Sequence, residues 1–147
     1  MTSPKDLREQ TIDHFWEVIP PLWGKIRSHI RAAAMGNFDI SVEQFHILRH
    51  VRRGMGSVSE LATAKNISRP AISQGVEVLV KKGLLTRVQS TQDRRCVELA
   101  LTSAGNSLLD AVFKETRSWM KERMNGLTAD ELNTVKDAMN ALKKMLE

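Results

Sequence analysis

The sequence SVSELATAKNISRPAISQGVEVLVKKGLLTRVQSTQDRR, residues 57–95, contains two helix starts separated by one short turn. Ser57 and Glu60 have the spacing of a capping box, which predicts the start of a short helix. Ser68 is placed to cap a second helix, and only residues 65–67 separate the two helices. Two short helices joined by so tight a turn are the sequence form of a helix-turn-helix.

After Gly83, which has the position of a helix stop, the apolar pattern changes from helical to alternating. Residues 84–89 and 95–101 are predicted strands, and the polar residues 90–94 form a hairpin loop between them. In the second strand the apolar residues alternate with others, at Val97, Leu99 and Leu101. A hairpin directly after a helix-turn-helix predicts a winged arrangement.

Longer helices are predicted on both sides of this centre. Residues 5–34 have apolar side chains at three- and four-residue spacing, although Pro20 and Pro21 require a kink or a restart within them. Serine and threonine caps predict further helices over residues 41–53, 102–125 and 128–147. The expected fold class is mainly α with a small β-hairpin wing (α+β), divided into residues 1–40, 41–102 and 103–147.

The composition suits one globular domain with helical extensions, since 41% of the 147 residues are hydrophobic and 27% are charged. No apolar run approaches the ~20 residues of a membrane span, and residues 1–7 lack the apolar core of a secretory signal. The single cysteine, Cys96, agrees with a reducing compartment. We therefore expect a cytoplasmic protein with no membrane partner.

The net charge of +5 is unevenly distributed along the chain. Residues 103–147 balance basic against acidic side chains, so the basic excess lies earlier and is densest over residues 57–102. That distribution is compatible with a polyanionic partner.

The outward side of the second helix of the helix-turn-helix is the predicted reader of double-stranded DNA. Ile72, Val76 and Leu79 form its inward stripe. Gln bonds adenine through two contacts and Ser bonds either type of base, while the helix N-terminus offers N–H donors to a phosphate. The predicted DNA-contacting residues of this helix are Ser68, Arg69, Pro70, Ser73, Gln74 and Glu77.

Gly75 lies inside the same helix, where it costs about 1 kcal/mol against alanine. Close packing against the preceding helix and close approach to DNA both explain a glycine here. We favour packing.

The hairpin provides a second predicted DNA contact. Asp93, Arg94 and Arg95 lie near its tip, and Arg87 on the preceding strand belongs to the same predicted surface. Arginine fits a narrow minor groove, where the negative potential is enhanced, and an adjacent carboxylate can orient a guanidinium. A solvated loop is the alternative, because such a triplet alone is a weak signal.

Taken together and in this order, these segments resemble the MarR-type winged-helix regulators. The similarity runs through residues 57–62, 68–79, 81–85, 93–95 and 101–105. It implies a homodimer on a pseudo-palindromic operator, with one recognition helix in each major-groove half-site and one wing in each flanking minor groove. Repression is the usual outcome in the family.

The family's D-x-R spacing carries over onto two residues of the wing. The resemblance implies that Arg95 enters the minor groove and that Asp93 orients it, with Arg94 as a phosphate contact or the alternative groove reader. Ser73 stands where the family usually has threonine.

The resemblance also implies a small aromatic or anionic effector, bound between the dimer helices and the DNA-binding lobe. The residues expected to line such a pocket are Trp16, Trp23, Phe45, His46 and Arg49. The alternative, which we favour for the two tryptophans, is a place in the core or in an interface.

Two further groups of residues allow a chemical role. His46 and His50 have the i, i+4 spacing of metal ligands, with His14 or Glu43 as a third, but surface histidines are the commoner explanation. Cys96 lies beside two arginines that favour its thiolate, although a small strand residue is the simpler role. No metal and no cofactor are therefore expected.

The last two helices carry apolar stripes that favour a partner helix. The seams are Leu132, Val135, Met139, Leu142 and Leu146 in the last helix, and Leu109, Val112, Thr116, Trp119 and Met120 in the one before. Packing within one chain is the alternative. An exposed stripe of this length would promote aggregation, so we expect a homodimer.

The sequence argues against catalysis, because it has no Gly-rich phosphate loop, nucleophile elbow or metal-hydrolase signature. The competing function is a winged-helix module that binds proteins and not DNA. The outward Arg69, Gln74, Arg94 and Arg95 argue against that alternative.

Overall fold

The computed structural model describes residues 3–147, so Met1 and Thr2 of the predicted first segment lie outside the described residues. The fold is mainly α with a two-stranded hairpin, which confirms the predicted class. Within residues 3–147 no helix combines the length and apolar character needed to cross a membrane. The elements are α1 Pro4–Phe38, α2 Val42–Arg52, α3 Val58–Lys65, α4 Arg69–Lys81, β1 Leu85–Gln89, β2 Val97–Leu101, α5 Ser103–Met124, α6 Ala129–Leu142 and the 3₁₀ turn Lys143–Leu146.

The first helix continues through Pro20 and Pro21, so of the predicted kink or restart, the restart is wrong. Proline removes a donor to the carbonyl four residues earlier, which leaves the carbonyls of Trp16 and Glu17 without a helical partner. Both residues are exposed, and exposed carbonyls can bond water. The helix ends where Asp39 takes a left-handed conformation with φ of 52°.

The local signals of the helix-turn-helix are confirmed. Ser57 and Glu60 form a complete capping box at the start of α3, and Ser68 caps α4 by accepting the backbone N–H of Ala71. The turn between the two helices uses Asn66 with φ of 51°. Gly83 follows α4 with φ of 71°, a conformation that glycine adopts without steric cost.

The core lies where α2, α4 and α5 meet the C-terminal part of α1 and the base of the hairpin. Its most deeply buried large side chains include Phe45, Leu48, Leu61, Ile72, Leu79, Leu85 and Leu109. The close packing of α4 on α2 supports the favoured interpretation of Gly75, because a Cβ there would lie 2.8 Å from Cδ1 of Ile47. The inward stripe of α4 is thereby fixed, and its opposite side faces away from the core.

The hairpin is shorter than predicted and projects from the lobe. Leu85 pairs with Leu101 at its base, and Gln89 pairs with Val97 towards its tip. Of the alternating apolar residues of β2, Leu99 is only 8% exposed, whereas Val97 is 56% exposed. Only the base of the hairpin lies over the core, so burial ends part-way along β2.

The terminal helices divide into a packed part and an exposed part. Leu109, Val112 and Thr116 of α5 are buried within the chain, so the first half of that predicted seam packs internally. In contrast, α6 contains no buried residue, and its seam residues Leu132, Val135 and Met139 are 37–45% exposed.

Candidate nucleic-acid interface

The fold places the predicted base-reading residues together on the outward side of α4. Ile72, Val76 and Leu79 are 0–2% exposed and fix the helix against the core. The opposite side is therefore free, and it carries exposed polar groups at the helix N-terminus and along one face. These residues are Ser68, Arg69, Pro70, Ser73, Gln74 and Glu77.

Three arginines near this surface have no carboxylate partner among the described residues. The ion pairs of residues 3–147 join Arg27 to Glu43, Arg52 to Asp110, Lys82 to Asp39 and Arg87 to Glu77. Arg69, Arg94 and Arg95 are exposed and outside this set. Their guanidinium groups are available to phosphate or base acceptors without the loss of an existing pair.

The carboxylate of Asp93 organises the wing tip through the backbone. Its Oδ1 accepts the backbone N–H of Arg95 at 3.0 Å. The backbone carbonyl of Asp93 accepts the N–H of Cys96 at 2.9 Å. The buried hydroxyl of Ser90 accepts the N–H groups of Gln92 and Asp93. Asp93 therefore acts here on the turn that carries Arg95. The role implied by the resemblance, a contact with the guanidinium itself, is absent from the hydrogen bonds of residues 3–147.

Two residues predicted as DNA contacts bond to each other. Nη2 of Arg87 on β1 donates to Oε2 of Glu77 on α4 over 2.8 Å. This hydrogen bond and the positive charge of Arg87 lower the pKa of Glu77 below its ordinary value, so the carboxylate stays ionised at neutral pH. The sequence placed both residues on the interface but did not indicate that they pair.

Sequence comparison connects this geometry to known proteins. The MarR family model matches residues 40–97, which span the helix-turn-helix and most of the wing. A Bacillus subtilis protein named as the uncharacterized HTH-type transcriptional regulator YpoP is 29% identical over 107 residues, covering 72% of this chain and 76% of that protein. Residues 40–97 therefore match a MarR-type winged helix-turn-helix.

Two other comparisons extend the MarR match. The HTH-type transcriptional repressor MdtR of Bacillus subtilis is 27% identical over 94 residues, covering 63% of this chain and 61% of that protein. The fold is similar to that of Streptococcus pneumoniae FabT in a crystal structure with DNA, with a TM-score of 0.74 and 18% identity over 92% of this chain and 96% of that one. At that identity the structural match supports the fold.

The residues predicted to line an effector pocket do not all lie together within one chain. Phe45 is fully buried, and its ring lies 5.6 Å from the rings of both His46 and Phe113. Trp16 is 69% exposed and lies 14 residues before the first buried residue of α1, Ile30. That separation is about 20 Å along the helix. The buried Phe45 and the exposed Trp16 therefore belong to different parts of the molecule.

The histidines of α2 lie in a cationic environment. Burial, together with the nearby charges of Lys65, Arg49 and Arg27, lowers the pKa of His46 from 6.5 to about 4. Burial and the same kind of neighbours also lower the pKa of His50. Among residues 3–147, no three His, Cys, Asp or Glu side chains are grouped as metal ligands would be, so the pair lacks the third ligand considered above.

Sequence reasoning missed a groove between α5 and α6. Its volume is about 870 Å³, and it combines apolar side chains with an excess of cations. The lining includes Phe113, Met120, Met124 and Leu132, with Arg52, Lys114, Arg117 and Lys121 against the single carboxylate Asp110. These residues come from three helices, and no local pattern in the sequence indicates that the helices meet there.

Proposed function

We propose that this MarR-type regulator binds a pseudo-palindromic DNA operator as a homodimer and represses transcription from it. The observation that carries the proposal is the exposed polar face of α4 beside a wing with unpaired guanidinium groups, those of Arg94 and Arg95. A helix of this kind fits the major groove. An arginine-bearing hairpin fits the adjacent minor groove. The predicted site residues of α4 and of the wing would then contact the DNA.

The exposed apolar surface of the terminal helices supports a homodimer. Trp16 is 69% exposed and Trp23 45% on α1, while Met139 on α6 is 45% exposed. A monomer that left such a surface in water would be prone to aggregate. Two-fold symmetry would cover it, and it would also place two copies of α4 about one DNA turn apart.

Charge favours one specific contact within this dimer. The N-terminal half of α1 is acidic, with Asp6, Glu9, Asp13 and Glu17 against Lys5 and Arg8. The groove between α5 and α6 is basic and lies beside an exposed apolar stripe. We assign the N-terminal half of the partner's α1 to this groove. Its acidic side chains would then lie against the basic groove, and its apolar side chains against the exposed apolar stripe.

The remaining parts of the proposal rest on the family. Repression is supported by the name of the relative MdtR, and a DNA target agrees with the cytoplasmic location expected from the sequence. The named relatives are transcriptional regulators, so we assign no catalytic step. A small aromatic or anionic effector is also expected, and quenching of the exposed tryptophans by a panel of aromatic acids tests for it.

Selection from a random DNA pool with the purified full chain tests the proposal. We expect one palindromic site, bound at least ~10³-fold more tightly than scrambled DNA at physiological salt. The variant Arg95→Ala provides the control for the wing, and it should bind the selected site more weakly and with a shallower salt dependence. Absence of an enriched site, with retention of a protein partner in a pull-down, would instead support the protein-binding alternative.

A further inference from the structure

The contact between Glu77 and Arg87 joins the two parts of the interface that are predicted to read different grooves. Glu77 lies on α4 and Arg87 on β1, and the 2.8 Å bond between them spans the gap. Among the side-chain hydrogen bonds of residues 3–147, no other one joins α4 to the hairpin. The other attachments are the short backbone connection after α4, in which the N–H of Leu84 donates to the carbonyl of Leu79, and core packing that includes Leu79 and Leu85.

The position of Glu77 needs a physical explanation on a DNA-binding surface. A carboxylate on the exposed face of α4 would be repelled by phosphates, and it lies one helical turn after Ser73. Its charge is compensated by Arg87, whose side chain is still 42% exposed. A guanidinium has five N–H donors in a fixed fork, so Arg87 keeps donors for a second acceptor while one is bonded to Glu77.

We infer that Glu77 is a positioning residue, which holds the guanidinium of Arg87 between α4 and the wing so that its free donors meet a DNA phosphate. On this view Glu77 contacts no base, and its effect on DNA affinity passes entirely through Arg87. The inference rests on the proposed DNA-binding function and refines the role of two of its residues.

A double-mutant cycle on the selected operator tests the inference. The full-length variants are Glu77→Ala, Arg87→Ala, the double variant and Glu77→Gln, which retains an acceptor oxygen for Arg87. We expect Glu77→Ala to weaken operator binding about three- to tenfold, as for a half-exposed ion pair present twice in a dimer. In the Arg87→Ala background the same change should cause no weakening, and Glu77→Gln should stay within about twofold of the parent.

Two further readouts separate positioning from a general structural role. Repeating the DNA selection with Glu77→Ala should return the parent's base preference at every position, because no base contact is lost. Arg87→Ala should lower the salt slope by about one unit for each phosphate contact removed. Thermal midpoints of all variants should be unchanged, since both side chains are exposed.

Three results would overturn the inference while leaving the proposed function intact. They are a changed base preference in Glu77→Ala, equal weakening by Glu77→Ala with and without Arg87, and tighter operator binding by Glu77→Ala. The first would identify Glu77 as a base reader, because carboxylates accept from cytosine. If the parent selected no site, the proposed function and this inference would both fail.

Discussion

The winged lobe and the terminal helices differ in how far they bury their apolar residues within one chain. In the lobe, the inward positions of α2 and α4 are buried within one chain, and Phe45, Leu48 and Leu79 are fully inaccessible. In the terminal helices, the N-terminal half of α1 and all of α6 contain no buried residue. One region is a complete core, and the other leaves an apolar surface that the second copy of the proposed homodimer would cover.

This difference implies that similar substitutions should act on different properties. A cavity in the lobe should reduce the free energy of unfolding, because the surrounding core cannot relax fully around it. A charge on α6 should reduce dimer affinity and leave the fold of each chain intact. The four predictions below use this contrast, in order of decreasing effect.

Phe45→Ala should destabilise the protein by about 3–5 kcal/mol, since it removes a fully buried ring from the centre of the lobe. Urea denaturation at fixed protein concentration measures the change. Val97→Ala is the control, because Val97 is 56% exposed and its truncation should cost less than about 0.5 kcal/mol. Similar losses in the two variants would mean that the lobe has no dominant core.

Val135→Asp should weaken the homodimer by at least about 100-fold, because it places a charge in the apolar seam of α6. Sedimentation equilibrium measures the dissociation constant, and circular dichroism checks that helix content is retained. Asn133→Asp adds the same charge two residues away, outside the seam, and should leave the dimer intact. An unchanged dimer in Val135→Asp would exclude α6 from the interface.

The histidines of α2 should make the lobe less stable in acid. The pKa of His46 is lowered from 6.5 to about 4, so the unfolded chain binds a proton more readily between these values. Stability from this group is therefore complete above pH 6.5 and is lost as the pH falls towards 4. Because the imidazole is only half-buried, solvent screening limits the loss to about 1 kcal/mol.

Thermal midpoints of His46→Gln and the parent across this pH range test the prediction. The variant should show a flatter dependence on pH, whereas His14→Gln, on the exposed part of α1, should follow the parent. Parallel curves for all three proteins would contradict the assignment to His46.

Gly75→Ala should have the smallest effect, because two contributions oppose each other. Alanine gains about 1 kcal/mol of helix propensity, but its Cβ would lie 2.8 Å from Cδ1 of Ile47. The measured stability change should therefore be within about 1 kcal/mol of zero. In an Ile47→Val background, which removes that Cδ1, the same substitution should stabilise by about 1 kcal/mol.

The affinity of Gly75→Ala for the operator distinguishes the two explanations of this glycine. If Gly75 serves helix packing, affinity should follow stability and change little. Weaker operator binding with unchanged stability would instead indicate close approach to DNA.

Local structure was the part that the sequence predicted best. The capping box at Ser57 and the helix cap at Ser68 were both confirmed, because each depends on residues within a few positions of one another. A kink or a restart was predicted at Pro20–Pro21, and the restart was wrong, since the long, exposed helix tolerates two missing donors.

The contacts between elements were predictable only in part. The sequence placed Asp93, Glu77 and Arg87 on the interface, but their partners depend on a turn geometry and on how β1 lies against α4. The groove between α5 and α6 had no local signal, because its residues converge only after the helices pack.

The most direct test of the account is the dependence of operator affinity on the spacing between half-sites. A dimer held by the terminal helices fixes the separation of its two recognition helices, so inserting about five base pairs, half a DNA turn, should place one helix on the wrong side of the duplex. We predict at least ~10-fold weaker binding of the extended operator, and weak binding of both operators by Val135→Asp. Equal affinity of the parent for the original and the extended operator would contradict the account.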